Sequence, residues 1–410
     1  MDLAQRWRNL GVASGALAAS MFAVFDVYQW VVAFASDHFH NDFTFYYAAA
    51  RIGVNHGWQS IYDLALQQQE LNAMGAGIQI AELARFISPP PVAWMALPLT
   101  LLPYDLAYWT WSFLLLAAIG WSWYLVAPGH GRARLIHLVA AIAWVPVIYD
   151  LQLSQPGPFV ALGVASCFVL LSANKPFVAG LTLGMLALKP QLGFMIPVAL
   201  LVAGRYRTFA GAATAVGLLV VASAVNVGPS GVSAYQDRLA FAAGVPVNRE
   251  LTLAPLIGDL TVTRVAQVGI AIWALALVYR FRRGPLELTF ILAIVGGLLA
   301  SPYLHLDDLV MLGLAAWLYL RVTDKPRWAW IFVLGLILAA EGVPVWGPVP
   351  IVAGEILALL LLSVAALKHH DRNPEHDGSE GKHDAGLERD RQHVAADRQA
   401  QTVDDRARQA

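Results

Sequence analysis

Apolar residues run in long blocks along most of the chain, separated by short polar turns. The blocks fall near residues 11–35, 90–103, 105–127, 135–149, 157–173, 176–188, 190–203, 208–227, 264–281, 286–300, 308–320, 328–341 and 350–367. The alternating ten-residue pattern of a membrane barrel is absent, so the blocks predict helices. In lipid a backbone must satisfy its own hydrogen bonds, which again selects helix. A single crossing needs about 20 residues. Several blocks are shorter, and short or proline-broken helices are tolerated where neighbours shield them. The pattern predicts an all-α polytopic bundle with about 12 transmembrane helices.

Lys and Arg set the expected orientation. Arg6 and Arg8 place the N-terminus in the cytoplasm. Arg132 and Arg134, Lys175, Arg205 and Arg207, Arg280 to Arg283, and Arg321 to Arg327 mark further cytoplasmic turns. The outer connections are then about 36–89, 228–263, 301–307 and 342–349, with the C-terminus cytoplasmic. Between 90 and 203 six blocks stand where four or five crossings fit. Either 90–103 dips in without crossing, or 176–203 is one helix broken at Lys189-Pro190.

Composition agrees: 58% of the 410 residues are hydrophobic and 13% charged, against about 25% charged in soluble domains. The net charge of −1 offers no footprint for nucleic acid. Cys167 is the only cysteine, so no intramolecular disulfide forms, and its apolar surroundings predict a buried thiol. The run 11–35 is too long for a signal-peptide core and reads as a retained first span ending near Ala33-Phe34-Ala35. A charged tail, 369–410, has almost no large apolar residues and is expected to be disordered, leaving 1–368 as the membrane domain. There is no P-loop, no dinucleotide-binding fingerprint and no Cys/His metal spacing. No cofactor and no metal is expected.

The largest polar island before the tail is 37–90. It opens at Asp42, followed by a stretch that reads as a helix with Asp42, Tyr46 and Ala49 on one face. Asp42 either caps this helix, worth about 1 kcal/mol, or works chemically. Trp58, Tyr62-Asp63 and Gln67 to Glu70 follow. Such rings and amides suit sugar faces and hydroxyls, or an interfacial helix with belt aromatics. Lys189 is a cation among apolar residues, at a cost of roughly 2.5–3.5 kcal/mol if placed at mid-bilayer. It either binds an anion, or snorkels or pairs with an acid. His305, Asp307 and Asp308 fall together on an outer turn. They suit orientation of an acceptor or a phosphate. Adjacent Asp side chains on a helix diverge, which weighs against a shared divalent metal. Asp26, Glu341 and Glu355 are further acids in apolar blocks with no assigned role. The segment 228–263, with Asn248, Arg249 and Glu250, faces the same side as Asp42 and either completes the acceptor site or is a plain solvated loop.

The ordered set of pieces resembles glycosyltransferase family 87, integral-membrane enzymes of the GT-C class that take sugars from polyprenyl phosphates. The matching pieces are Asp42-Phe43-Thr44-Phe45-Tyr46-Tyr47-Ala48-Ala49-Ala50, Ile61-Tyr62-Asp63, Ile87-Ser88-Pro89-Pro90 and Pro98-Leu99-Thr100-Leu101-Leu102-Pro103. Later come Ser154-Gln155-Pro156-Gly157, Gly180-Leu181 through Leu188-Lys189-Pro190, and Ser301 to Asp308. Ser88 replaces a usual Tyr, and Asp307-Asp308 stand where many members carry two His. The resemblance implies that Asp42 is the general base. It implies an inverting transfer of a hexose, mannose by analogy, from a polyprenyl-phosphate donor to a glycan or glycolipid acceptor. The setting would be the outer face of the plasma (inner) membrane, among membrane lipids. Lys189 and His305 would meet the donor phosphate, while Tyr46, Tyr62, Gln155, Asp307 and Asp308 would contact substrate. A transporter or lipid-sugar flippase is the rival reading; it predicts two matching halves, and no internal repeat is evident.

Overall fold

The computed structural model describes residues 3–81, 83–322, 328–339 and 343–371. Among these residues all regular structure is helical. The chain divides into two units, 1–361 and 362–410; the last helix runs across the boundary, and the candidate site lies in the first. Glu341 and the expected tail from 372 onward lie outside the described residues.

The apolar blocks become helices almost one for one. The first is α1, Leu3–Ser36, whose apolar side chains are mostly exposed. The polar island folds as α2, Phe43–His56, and α3, Leu64–Ala73. The chain then continues through α4, Pro90–Ala96, where Pro90 and Pro91 fix φ and, lacking an N–H, leave no unpaired donor at the first two helical positions. After it come α5, Tyr104–Val126; α6, Gly131–Ile142; α7, Val145–Leu153; α8, Gly157–Ser172; α9, Pro176–Thr182; and α10, Met195–Val202. The remainder is α11, Tyr206–Gly244; α12, Ala254–Ile257; α13, Leu260–Arg280; α14, Leu286–Leu299; α15, Val310–Val322; α16, Trp328–Leu338; α17, Val343–Trp346; and α18, Val349–Asp371.

Among the described residues, five helices are long and apolar enough to cross a membrane, and a sixth span results if α6 and α7, bent by 59°, are counted as one. The expected dozen is not reached by this measure. The physical reason is local: proline and glycine cut several blocks into pieces shorter than a bilayer. Block 176–203 is the clearest case. It breaks at Lys189, whose φ of −150° is extended because the next residue is Pro190.

The segment 228–263, expected as an outer connection, is not an open loop. At Gly228 the φ of 67° and the missing amide of Pro229 bend α11, which then continues as helix to Gly244. This second half packs on the polar island, where Tyr235 lies 5.0 Å, ring to ring, from Tyr62. Just before the bend, the Trp94 indole of α4 donates to Asn226 at 3.1 Å. The first half crosses α9 where Gly180 and Gly211 face backbone: a Cβ on Gly180 would overlap the Thr208 carbonyl, and one on Gly211 the Phe177 carbonyl. Gly180→Ala is therefore expected to force α9 and α11 apart. The cost should be about 1–3 kcal/mol, read as a lower melting temperature of the purified protein.

Candidate active site

Asp42 sits at the N-cap position of α2, yet its side chain makes no capping hydrogen bond. Asn41 does that work instead, its Oδ1 accepting from the Thr44 amide at 3.3 Å. The Asp42 backbone amide donates to the Leu153 carbonyl at 3.0 Å, which ties the start of α2 to the end of α7. Beyond Leu153, Ser154 takes a left-handed φ of 61°, unusual for a residue with a Cβ. The Trp111 indole holds it there by donating to its carbonyl at 3.0 Å. The turn delivers Gln155, whose Nε2 donates to the Asp42 carboxylate, while its Oε1 accepts from the Tyr46 hydroxyl at 3.3 Å. Asp42, Tyr46 and Gln155 are thus joined through hydrogen bonds to Gln155.

A second group faces them. The break at Lys189 turns its side chain inward, where its ammonium meets Asp307 and, at 2.6 Å, Asp308. The two carboxylates converge on one cation because they lie on a tight 3-10 turn, Asp307–Leu309, and not on an α-helix. This overturns the expectation that they diverge. Asp308 also accepts from the His305 amide at 2.8 Å. His305 Nε2 lies 3.1 Å from Asn248 Oδ1 and 3.0 Å from the Tyr303 hydroxyl. Asn248 is oriented by its own amide, which donates to the Ala242 carbonyl at 2.7 Å.

Both groups open onto one cavity of about 720 Å³. Asp42, Tyr46, Gln155, Lys189, His305 and Asp307 all line it. Asp308 pairs behind Lys189 without lining the wall, and Tyr62 does not reach the cavity either. Tyr62 is buried, donates to the Ser88 carbonyl at 2.8 Å and stacks on Phe86, so it supports the wall instead of contacting a ligand directly. Asp63 caps α3. Asp26 and Glu355 lie elsewhere, and Cys167 is buried.

One site residue escaped the sequence reading: Asp150, fully buried in α7 with neither carboxyl oxygen hydrogen-bonded. A Cβ on Gly157 would collide with it, so glycine is needed there. Its signal was an acid directly after an apolar block. Asp42, Asp150, Asp307 and Asp308 all feel the single charge of Lys189. Burial pushes the Asp42 carboxyl up to about 7; Asp307 adds to the rise and Lys189 opposes it. Burial also works on Asp307, but Lys189, assisted by His305, more than offsets it and holds that carboxyl below its ordinary value. The result is a carboxyl with raised proton affinity beside an ion pair.

Long apolar helices and a polar cavity with a buried carboxylate define a membrane protein built for chemistry on a polar group. The model of glycosyltransferase family 87 matches residues 86–302, more than half of the chain. The protein belongs to that family and is a membrane glycosyltransferase. Gln155, Lys189 and Asn248 lie within the matched stretch; Asp42, His305, Asp307 and Asp308 lie outside it. Neither the curated proteins nor the solved structures contain a match.

Lys189 is buried against two carboxylates, so its removal should leave them uncompensated. Lys189→Met is expected to cost about 3–5 kcal/mol of stability, measured by thermal or denaturant unfolding. A stability like that of the parent would show that the pair is not structural.

Proposed function

We propose that the protein transfers a hexose from a polyprenyl-phosphate donor to a lipid or glycan acceptor at the outer face of the plasma membrane, with inversion and with Asp42 as general base. Mannose is the sugar that the family resemblance implies. The observation that carries the reading is the Asp42 carboxylate: freed from capping, held by Gln155, and facing the cavity with its proton affinity near neutrality.

In the step envisaged, the acceptor hydroxyl oxygen attacks the anomeric carbon. The bond from that carbon to the donor phosphate oxygen breaks, and the electron pair leaves with the polyprenyl phosphate. The hydroxyl proton passes to Asp42, an assistance typically worth ~10²–10⁴-fold. Gln155 orients the carboxylate, and Tyr46 orients Gln155. The leaving phosphate is a good leaving group and needs charge stabilisation more than a proton. The lining is mixed: Ile78, Leu83, Ile87, Leu239 and Val247 stand beside the polar groups, as an amphiphilic substrate requires.

Asp42→Asn should abolish transfer from a labelled polyprenyl-phosphate sugar in reconstituted membranes. It should also fold at least as well as the parent at pH 8. The sign follows from the raised carboxyl: the native state favours the protonated form, so ionisation destabilises it progressively from the ordinary carboxylate range up to about pH 7, and Asn removes that cost. Full transfer by this variant would refute the assignment.

The rate at saturating donor should fall as pH drops through about 7, because only the ionised Asp42 accepts a proton. A profile flat from pH 5.5 to 8.5 would contradict a base of this kind.

A further inference from the structure

We propose that Arg249 and Arg264 hold the phosphate of the donor, a role the sequence pattern assigns to Lys189. The inference rests on the reading of the donor as a lipid phosphate. Four cations of the Lys/Arg type line the cavity: Arg85, Lys189, Arg249 and Arg264. Lys189 is neutralised by Asp307 and Asp308. Arg85 is engaged, its guanidinium 4.0 Å over the Phe241 ring and its Nε donating to the Ala81 carbonyl at 2.8 Å. Among the described residues, the side chains of Arg249 and Arg264 have no ion-pair or hydrogen-bond partner.

The two arginines come from different elements pinned to one segment. Arg249 follows Asn248, whose side chain meets His305 and whose carbonyl accepts from the Leu304 amide at 3.1 Å. Arg264 stands one turn before Gln267, which donates to the Ser301 carbonyl at 2.6 Å. Segment 301–305 therefore carries an arginine on either flank and leads directly into Asp307 and Asp308. The carboxyl-rich group around Lys189 repels an anion. The guanidinium fork matches a phosphate with paired hydrogen bonds. A phosphate gripped by this pair lies in the same cavity that Asp42 lines. The pair also meets the extra negative charge that appears as the phosphodiester becomes a monoester, and so favours the transition state as well as binding.

The test uses the full-length chain in lipid nanodiscs and compares binding of a polyprenyl monophosphate with that of the polyprenol of equal length. The parent is expected to prefer the monophosphate by on the order of tenfold or more. The double variant Arg249→Gln/Arg264→Gln should lose that preference while binding polyprenol as before, and the double Lys variant should retain part of it. A double Gln variant that keeps the full preference overturns the arginine assignment and leaves the donor reading standing. A parent with no preference overturns the donor reading itself. If the double Gln variant does not fold, each single variant should bind the monophosphate about tenfold more weakly; unchanged binding in both refutes the proposal.

Discussion

The buried contact of Lys189 with Asp307 and Asp308 is the interaction around which the site is arranged. An ammonium away from water must be paired, and two adjacent carboxylates must be neutralised. Neither need can be met locally, because 118 residues separate Lys189 from Asp307. Meeting it requires the helical run that follows α9 to stop at Ala187, just before Lys189, and the chain after α14 to turn tightly through Asp307. The same turn carries His305 to Asn248, and so draws the end of α11 onto the cavity wall.

Asp42 reaches the cavity by a separate route. Its amide is bonded to the end of α7 and its carboxylate to Gln155, so α2 and α7 place it jointly. The strained turn at Ser154 belongs to this arrangement: backbone cost is accepted where a side chain must be aimed. Burial, with Asp307 adding to it and Lys189 opposing, raises the Asp42 carboxyl to about 7, as the proposed role of base requires.

Covering the site is a matter of helix geometry. Had α11 ended at Gly228, the segment beyond it would have been the open loop that charge and polarity suggested. The bend preserves the helix and lays Tyr235 against Tyr62. The prominent aromatics of the polar island thus serve mainly as wall and core. Tyr62 is spent on the Ser88 carbonyl and Phe86, while Tyr46 alone of the two lines the cavity.

Much of this was legible along the chain, because apolar runs and prolines act locally. The blocks marked the helices, Lys189-Pro190 marked a break, and a lone intramembrane lysine and an acid opening a polar island marked two residues of the candidate site. Whether the Asp42 side chain caps its helix was left open along the chain; the fold answers it, because Asn41 accepts from the Thr44 amide and Asp42 turns to Gln155. Asp150 hid at the edge of an apolar block. The partners of Lys189, the convergence of Asp307 and Asp308, and the number of blocks long enough to cross a bilayer were decided by tertiary structure. The reason is physical: periodicity reports what a residue does to its own helix, whereas pairing a buried charge depends on which distant segments pack beside it.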